Sequence, residues 1–170
     1  MKFSVIVSVY DKIDYLEIVL KSIFRQSYTD FEIIIAEDCS KEEMKKFIEK
    51  IKSENQHIKI KHVFQEDIGF RKNKILNEAI RNAEGEFLIF IEGDCILHKN
   101  FVKEYSKYSK VGRLVYGRRV YLSKVITKYL LKNKKLNILN PFSIILTGSR
   151  KLRYLFKIHF QISKIRERVY

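Results

Sequence analysis

Two carboxylates stand one residue apart in Glu92-Gly93-Asp94, with a glycine between them. Glycine lets the backbone turn where a Cβ would clash, so both side chains can be aimed into one space. Carboxylates held that close repel each other unless a cation joins them. Magnesium and manganese are hard ions that take oxygen ligands and often bridge to substrate phosphates. The tripeptide alone leaves two readings open, a metal–diphosphate site or a solvated acidic turn. Related groups recur at Tyr10-Asp11 and Glu37-Asp38. A ring and a carboxylate suit a nucleobase: the ring packs on its face and the carboxylate accepts from a ring N–H. Arg71 follows Asp67 and Gly69 closely. It can contact a phosphate or pair with Asp67, and both options stand.

Each acidic group follows an apolar run. Phe3–Tyr10 (FSVIVSVY), Phe31–Ala36 (FEIIIA) and Phe87–Ile91 (FLIFI) are apolar almost throughout. Such runs read as parallel strands, and the first and last as strands buried on both faces. Ile13, Leu16, Leu20, Ile23 and Phe24 recur at helical spacing. Ser40 and Glu43 match a capping box at the start of a second helix, whose inner side is Met44, Phe47, Ile48 and Ile51. Ile58–Phe64 alternates and suits an edge strand. Leu76, Ala79, Ile80 and Ala83 mark a third helix, with Gly85 as its stop. The order β-α-β-α-β-α-β with short links predicts an α/β fold, a mostly parallel sheet with helices on both faces. Ligands of such sheets bind outside the carboxyl ends of the strands, where the acidic groups lie. Beyond Asp94 the pattern predicts a helix over Asn100–Lys110, a strand over Leu114–Leu122 interrupted by Gly117, and a Ser123-capped helix over Lys124–Leu131. Lys151–Ile165 reads equally as an amphipathic surface element or a solvated tail.

The 170 residues suffice for one domain with a proper core. The net charge of +14 is unevenly spread. Residues 1–102 hold 16 Lys/Arg and 18 Asp/Glu, a sum of −2; residues 103–170 hold 18 against Glu104 and Glu167, a sum of +16. The second part should attract something anionic: phosphates, an acidic polymer or a membrane surface. No recognised nucleic-acid module accompanies the charge, so nucleic acid is not the expected partner. No apolar run is long enough to span a bilayer and no signal-peptide pattern opens the chain, so cytoplasmic residence is the default expectation. Cys39 and Cys95 have no partner at metal-binding spacing and read as free thiols.

Four blocks, in order, carry a resemblance: SVIVSVYDK, EIIIAEDCS, QEDIGFRKNKILNEAI and FLIFIEGDCILHKNFV. Over roughly residues 3–122 the chain resembles the family 2 glycosyltransferases of the GT-A (Rossmann-like) fold, most of all members that build polysaccharide or lipopolysaccharide. The resemblance implies a nucleotide-sugar donor, usually a UDP-sugar, and Mn2+ or Mg2+ at a DxD motif. Carried over by position, Tyr10 and Asp38 would contact the base, Arg71 would lie near donor phosphate or base, and Glu92 with Asp94 would hold the metal. It also implies a glycan or lipid-linked acceptor. Residues 1–122 would be the nucleotide-sugar-binding domain, and 123–170 a basic, partly helical extension. That extension would meet an anionic membrane's inner face or a second subunit.

Three departures qualify the match. Glu92 stands where the family usually has Asp, and Cys39 where a glycine is common, which is expected to restrict that turn. Inverting members use a carboxylate from the acceptor half as general base. Beyond Asp94 this chain has only Glu104 and Glu167, so no catalytic base is assigned. The expectation is a donor-binding half whose turnover alone is impaired. The alternatives are a nucleotide-sugar-binding subunit without turnover and, less well supported, a basic nucleic-acid-binding protein.

Overall fold

The computed structural model describes residues 2–154 and 160–164, with side chains through Arg153. Four strands form one parallel sheet: β1 (Phe3–Val9), β2 (Phe31–Glu37), β3 (Ile60–Phe64) and β4 (Phe87–Glu92), in the order β3-β2-β1-β4. Helices α1 (Ile13–Phe24), α2 (Glu42–Glu54) and α3 (Lys72–Arg81) link them. The chain steps one way across the sheet from β1 to β3, then returns past β2 and β1 to β4. Right-handed crossovers therefore put α1 and α2 on one face and α3 on the other. The reversal makes a topological switch point between β1 and β4, where open α/β sheets form ligand crevices.

Every residue of β1 and β2 is buried, as unbroken apolar strands require. Ile6 of β1 and Ile34 and Ala36 of β2 pack with Ile75 and Ala79 of α3. The inner face of α3 is thus Ile75–Ala79, with Leu76 and Ala83 at its margin, while Ile80 is exposed. The expected stripe was displaced by one residue, because Ile75 and Ala79 already satisfy the i, i+4 spacing.

Four other local expectations are corrected. β4 is not buried on both faces: Phe90 is half exposed, since β4 borders the sheet among the described residues. The Ser40–Glu43 box does not form; α2 begins at Glu42 with Lys41 as an N-cap that makes no side-chain cap bond, and the Lys41 ammonium pairs with Asp11 instead. Gly85 does not end α3, which closes at Asn82. A Cβ at Gly85 would lie 2.4 Å from the backbone of Phe3 and Ser4, so the glycine lets β4 start flush against β1. Cys39 is not in the left-handed region, which among the described residues only Lys134, Lys151 and three glycines occupy. Its side chain therefore costs the turn no backbone strain, and its buried thiol has a raised pKa because burial disfavours the thiolate.

The amino end of the sheet is tied by charge. Glu32 is fully buried and accepts from Ser4 Oγ at 2.6 Å and from the Glu84 N–H at 2.6 Å, with Lys61 Nζ at 3.0 Å. Exposed Glu84 takes Lys59 at 2.6 Å and Lys61 at 2.8 Å, and these cations hold its pKa down to about 2. A carboxylate with a depressed folded pKa adds stability above its unfolded pKa and loses it as pH falls through the folded one. Glu84→Gln should accordingly lower the melting temperature at neutral pH and converge with the parent between about pH 4.5 and about pH 2. Parallel melting curves across that range check this; a gap that persists at the acid end would refute it.

The chain divides into two compact units, Met1–Leu20 with Tyr28–Ile96, and Lys21–Ser27 with Leu97–Tyr170. This division follows packing, whereas the boundary at residue 122 follows charge and motif. In the second unit α4 (Phe101–Tyr108), β5 (Arg113–Gly117), α5 (Lys124–Asn133) and α6 (Pro141–Leu146) precede β6 (Phe160–Lys164), which pairs antiparallel with β5. β5 ends at Gly117, the residue expected only to interrupt it. Ser123 caps α5 by accepting from the Ile126 N–H, as expected. Buried Gln26 fastens this unit: it donates to the carbonyls of Ser22 (3.0 Å) and His98 (2.8 Å) and accepts from the Val102 N–H (3.0 Å). No helix among the described residues is long and apolar enough to cross a membrane.

Candidate functional site

The parallel register puts Ser8 of β1 opposite Glu92 of β4 and Val9 opposite Glu37 of β2. The residues that follow these strands therefore emerge at one edge. A pocket of about 410 Å³ opens there, lined by Tyr10, Asp38, Asp67, Phe70, Lys72 and Glu92 among others. Three of the five expected site residues, Tyr10, Asp38 and Glu92, share this pocket. Arg71 and Asp94 do not line it, although each directly adjoins or nearly adjoins a residue that does.

Asp38 is almost wholly buried and seats the loop between β3 and α3. One carboxylate oxygen accepts from Gln65 Nε2, and the other from the Arg71 backbone N–H at 3.0 Å. An ionised carboxylate has about four acceptor sites, so capacity remains for a ligand. Tyr10 donates its hydroxyl to Asp67 Oδ2 at 2.8 Å, and that bond raises the tyrosine pKa. Asp67 thus takes Tyr10 rather than Arg71. The Arg71 guanidinium instead donates to the Glu66 carbonyl, while its buried Nε has no hydrogen-bond partner.

Glu92 is held by Lys72, whose Nζ lies 2.5 and 2.7 Å from the two carboxylate oxygens, and by Ser8 Oγ at 3.1 Å. Gly93 donates to the Ser8 carbonyl at 2.7 Å, and a Cβ there would meet that oxygen at 2.9 Å. Glycine is therefore required by close approach, and Asp94 follows it into solvent. The Cys95 N–H closes the turn on the Glu92 carbonyl at 2.9 Å, and the Cys95 thiol lies 3.5 Å from Asp94 Oδ1.

Two residues escaped sequence reasoning. The sequence pattern offers Asp67 only as a partner for Arg71 and does not mark Lys72. A signal for Lys72 existed: α3 opens on Arg71, Lys72 and Lys74 with no acid in its first turn. Cations at a helix N-terminus oppose the macrodipole, so their presence asks for an anion nearby. Glu37 and His62 form a further buried pair, 2.8 Å apart, at the end of β2.

Two carboxylates, Glu92 and Asp94, would suit only a divalent ion that keeps open positions. Among the described residues no three acidic, histidine or cysteine side chains cluster into a closed cage. Magnesium-type sites use one or two carboxylates and complete their shell with water and substrate phosphate. A cation, the Lys72 ammonium, already sits across both oxygens of Glu92, so that position favours positive charge.

A parallel α/β sheet with a carboxylate-rich crevice at its switch point defines the class of open α/β domains that take ligands at the carboxyl ends of their strands. The particular family follows from comparison: the profile of Glycosyl transferase family 2 matches residues 4–166, and the chain belongs to that family. Poly(ribitol-phosphate) beta-N-acetylglucosaminyltransferase TarS of Staphylococcus aureus (strain Mu50 / ATCC 700699) is 32% identical over 106 residues, 61% of this chain and 18% of TarS. The crystal structure of S. aureus TarS 1–349 in complex with UDP-GlcNAc superposes with a TM-score of 0.57 at 29% identity, covering 73% of this chain and 34% of that one. A mannosyltransferase, PcManGT from Pyrobaculum calidifontis in complex with GDP-Man and Mn2+, shares the fold at a TM-score of 0.62 and 19% identity, over 76% of this chain and 38% of its own. The GT-A fold is thereby established, and the chain spans about a fifth of the length of TarS.

Proposed function

We propose that the pocket binds a nucleotide-diphosphate sugar, a UDP-sugar, as donor for transfer to a glycan or lipid-linked acceptor in cell-surface polysaccharide synthesis. The observation that carries this is the convergence of Tyr10, Asp38 and Glu92 on one pocket bordered by the basic start of α3. The Tyr10 ring offers a face for the base, and Asp38 accepts from a base N–H while holding its loop. Lys72 leaves Glu92 for donor phosphate, and Arg71 supports the same loop. Asp94 with Glu92 would hold manganese or magnesium, an ion that would supply positive charge for the diphosphate. TarS was crystallised with UDP-GlcNAc and UDP, which supports a uridine donor here. The protein would work in the cytoplasm.

A second reading, donor binding without turnover, rests on Glu104. Its carboxylate is paired with Lys107 at 2.7 Å along α4, so it is committed to a neighbouring side chain. Glu167 lies outside the described residues.

One experiment addresses the donor. Thermal unfolding of the purified chain is followed with UDP-GlcNAc, other UDP-sugars and GDP-mannose, each with and without manganese. A UDP-sugar with metal should raise the melting temperature in proportion to the logarithm of concentration over affinity. No shift with any nucleotide at about a hundred times ordinary micromolar affinities would overturn the proposal. Release of free sugar or UDP in the same mixtures separates turnover from binding.

A further inference from the structure

Residues 136–149, LNILNPFSIILTGS, carry no charge. Lys134 and Lys135 precede them, and Arg150, Lys151 and Arg153 follow. From residue 105 to residue 153 the chain has thirteen Lys/Arg and no acid. At the centre of the uncharged stretch is α6, started by Pro141 and capped by the Asn140 side chain, which accepts from the Ser143 N–H at 2.9 Å. The helix turns only Ile144 inward. Phe142 is 75% exposed, Ile145 47% and Leu146 73%. These three stand at i, i+3 and i+4, one face of a helix. A soluble surface rarely groups large apolar side chains in this way without a partner.

The cations that follow this helix in the chain are held in place. The Tyr121 and Arg150 backbones exchange hydrogen bonds of 3.0 and 2.8 Å, and the Ser123 N–H donates to Ser149 Oγ at 3.0 Å. This fastens the segment leaving α6 onto the segment leading into α5. The Arg119 guanidinium carbon, Arg150 guanidinium carbon and Lys151 Nζ lie 5.5, 6.0 and 4.5 Å from the centroid of the Tyr121 ring. Three cations thus gather on one partly exposed tyrosine, and one of them, Arg150, follows the last residue of α6 by four positions.

We propose that α6 is a wedge that seats this unit on an anionic lipid bilayer, with Phe142, Ile145 and Leu146 entering the acyl boundary. Arg119, Arg150 and Lys151, with Lys134 and Lys135, meet the headgroup phosphates. An interfacial element needs apolar side chains on one side and flanking basic residues at headgroup level, and it does not need the length of a span. Tyrosine belongs at that level, its ring apolar and its hydroxyl wet. A soluble polyanion would use the cations and leave the apolar face uncovered. A second copy of the chain would cover the face and bring like charges together. The bilayer satisfies both features at once.

The chain has no tryptophan, so Phe142→Trp places a single such fluorophore on the wedge. The variant is titrated with phosphatidylcholine vesicles, with vesicles containing about one-third phosphatidylglycerol, and with soluble polyphosphate. Emission should shift to the blue only with the anionic vesicles and be quenched by bromine carried on their acyl chains. Binding should fall steeply between low and high salt, since exposed charges are screened over about 10 Å at 0.1 M. In the otherwise native chain, Arg150→Gln with Lys151→Gln should weaken vesicle binding about twenty-fivefold, or roughly fivefold per cation. Phe142→Ser with Leu146→Ser should weaken it by about tenfold or more while leaving the melting temperature unchanged, because both side chains are exposed. Polyphosphate binding without a spectral shift, equal binding to neutral vesicles, or a blue shift that follows protein concentration without lipid would each overturn the proposal. The last outcome would make the face an interface between copies.

Discussion

Asp94→Ala should abolish manganese-dependent UDP binding and leave the melting temperature where it was. The carboxylate is exposed and meets the Cys95 thiol at 3.5 Å, so the core does not depend on it. Substitutions at such positions ordinarily change stability by within about 0.5 kcal/mol. Binding is different. Glu92 is already engaged by Lys72 and Ser8, which leaves Asp94 as the carboxylate nearest to being available for an ion. If Asp94 holds the ion, losing it would remove a contact between opposite charges, an effect of several kcal/mol, or about a hundredfold or more in affinity. Calorimetric titration of UDP, with manganese and with chelator, measures the difference. Asp94→Asn should behave like Asp94→Ala, because a neutral amide does not replace the charge. Equal manganese-dependent affinity in parent and variant would remove Asp94 from the site.

The largest loss of stability is expected at Gly85. An added methyl would sit 2.4 Å from the backbone of both Phe3 and Ser4, and 2.8 Å from Ser4 Oγ. Side-chain adjustment cannot relieve a backbone clash, so β4 must move away from β1 at its start. The Gly85 N–H bond to Ser4 Oγ and the seat of Glu32 would be disturbed with it. Overpacking of this kind costs about 3 kcal/mol, which lowers the melting temperature of a chain this size by roughly 10 °C. Gly69 is the internal control. It has φ of +71° and nothing within 4 Å of a new Cβ, so Gly69→Ala should cost only about 1 kcal/mol, from the left-handed backbone. Calorimetric scans of the two variants decide this. A Gly85→Ala protein as stable as its Gly69→Ala counterpart would mean that β4 is not pinned against β1.

Much of the sheet was legible because parallel strands covered on both faces must be apolar on both. Phe3–Val9 and Phe31–Glu37 announce themselves in that way. That Tyr10, Asp38 and Glu92 leave the sheet at one edge was also legible, since it follows from parallel strand direction; which of them share a pocket depends on the strand order and on the turn at Gly93, which leaves Asp94 outside it. Local details were not. Ser40 and Glu43 have capping-box spacing, yet the chain starts α2 at Glu42, and no local pattern records that Lys41 is drawn to Asp11. Gly85 was rightly marked, but as a helix stop; its reason is a contact with residues some eighty positions earlier. Lys72 was passed over because its partner, Glu92, is twenty residues away along the chain and adjacent only after β4 forms beside β1. Pairings across the sheet decide what a charge does, and spacing within one segment does not contain them.

The hydrogen bond from Tyr10 to Asp67 has a consequence in time. It joins the carboxyl end of β1 to the loop that Asp38 seats, and both partners line the pocket. A base that uses the Tyr10 ring must accept this closed arrangement or wait for it to part. If only a fraction of molecules is open, the observed dissociation constant is the intrinsic one divided by that fraction. Cys39 can report the fraction. Its thiol is buried and lies 4.0 Å from the same Asp67 oxygen. The rate at which a thiol reagent modifies Cys39 therefore reports the open fraction while reclosing is faster than reaction, and a bound donor should lower it.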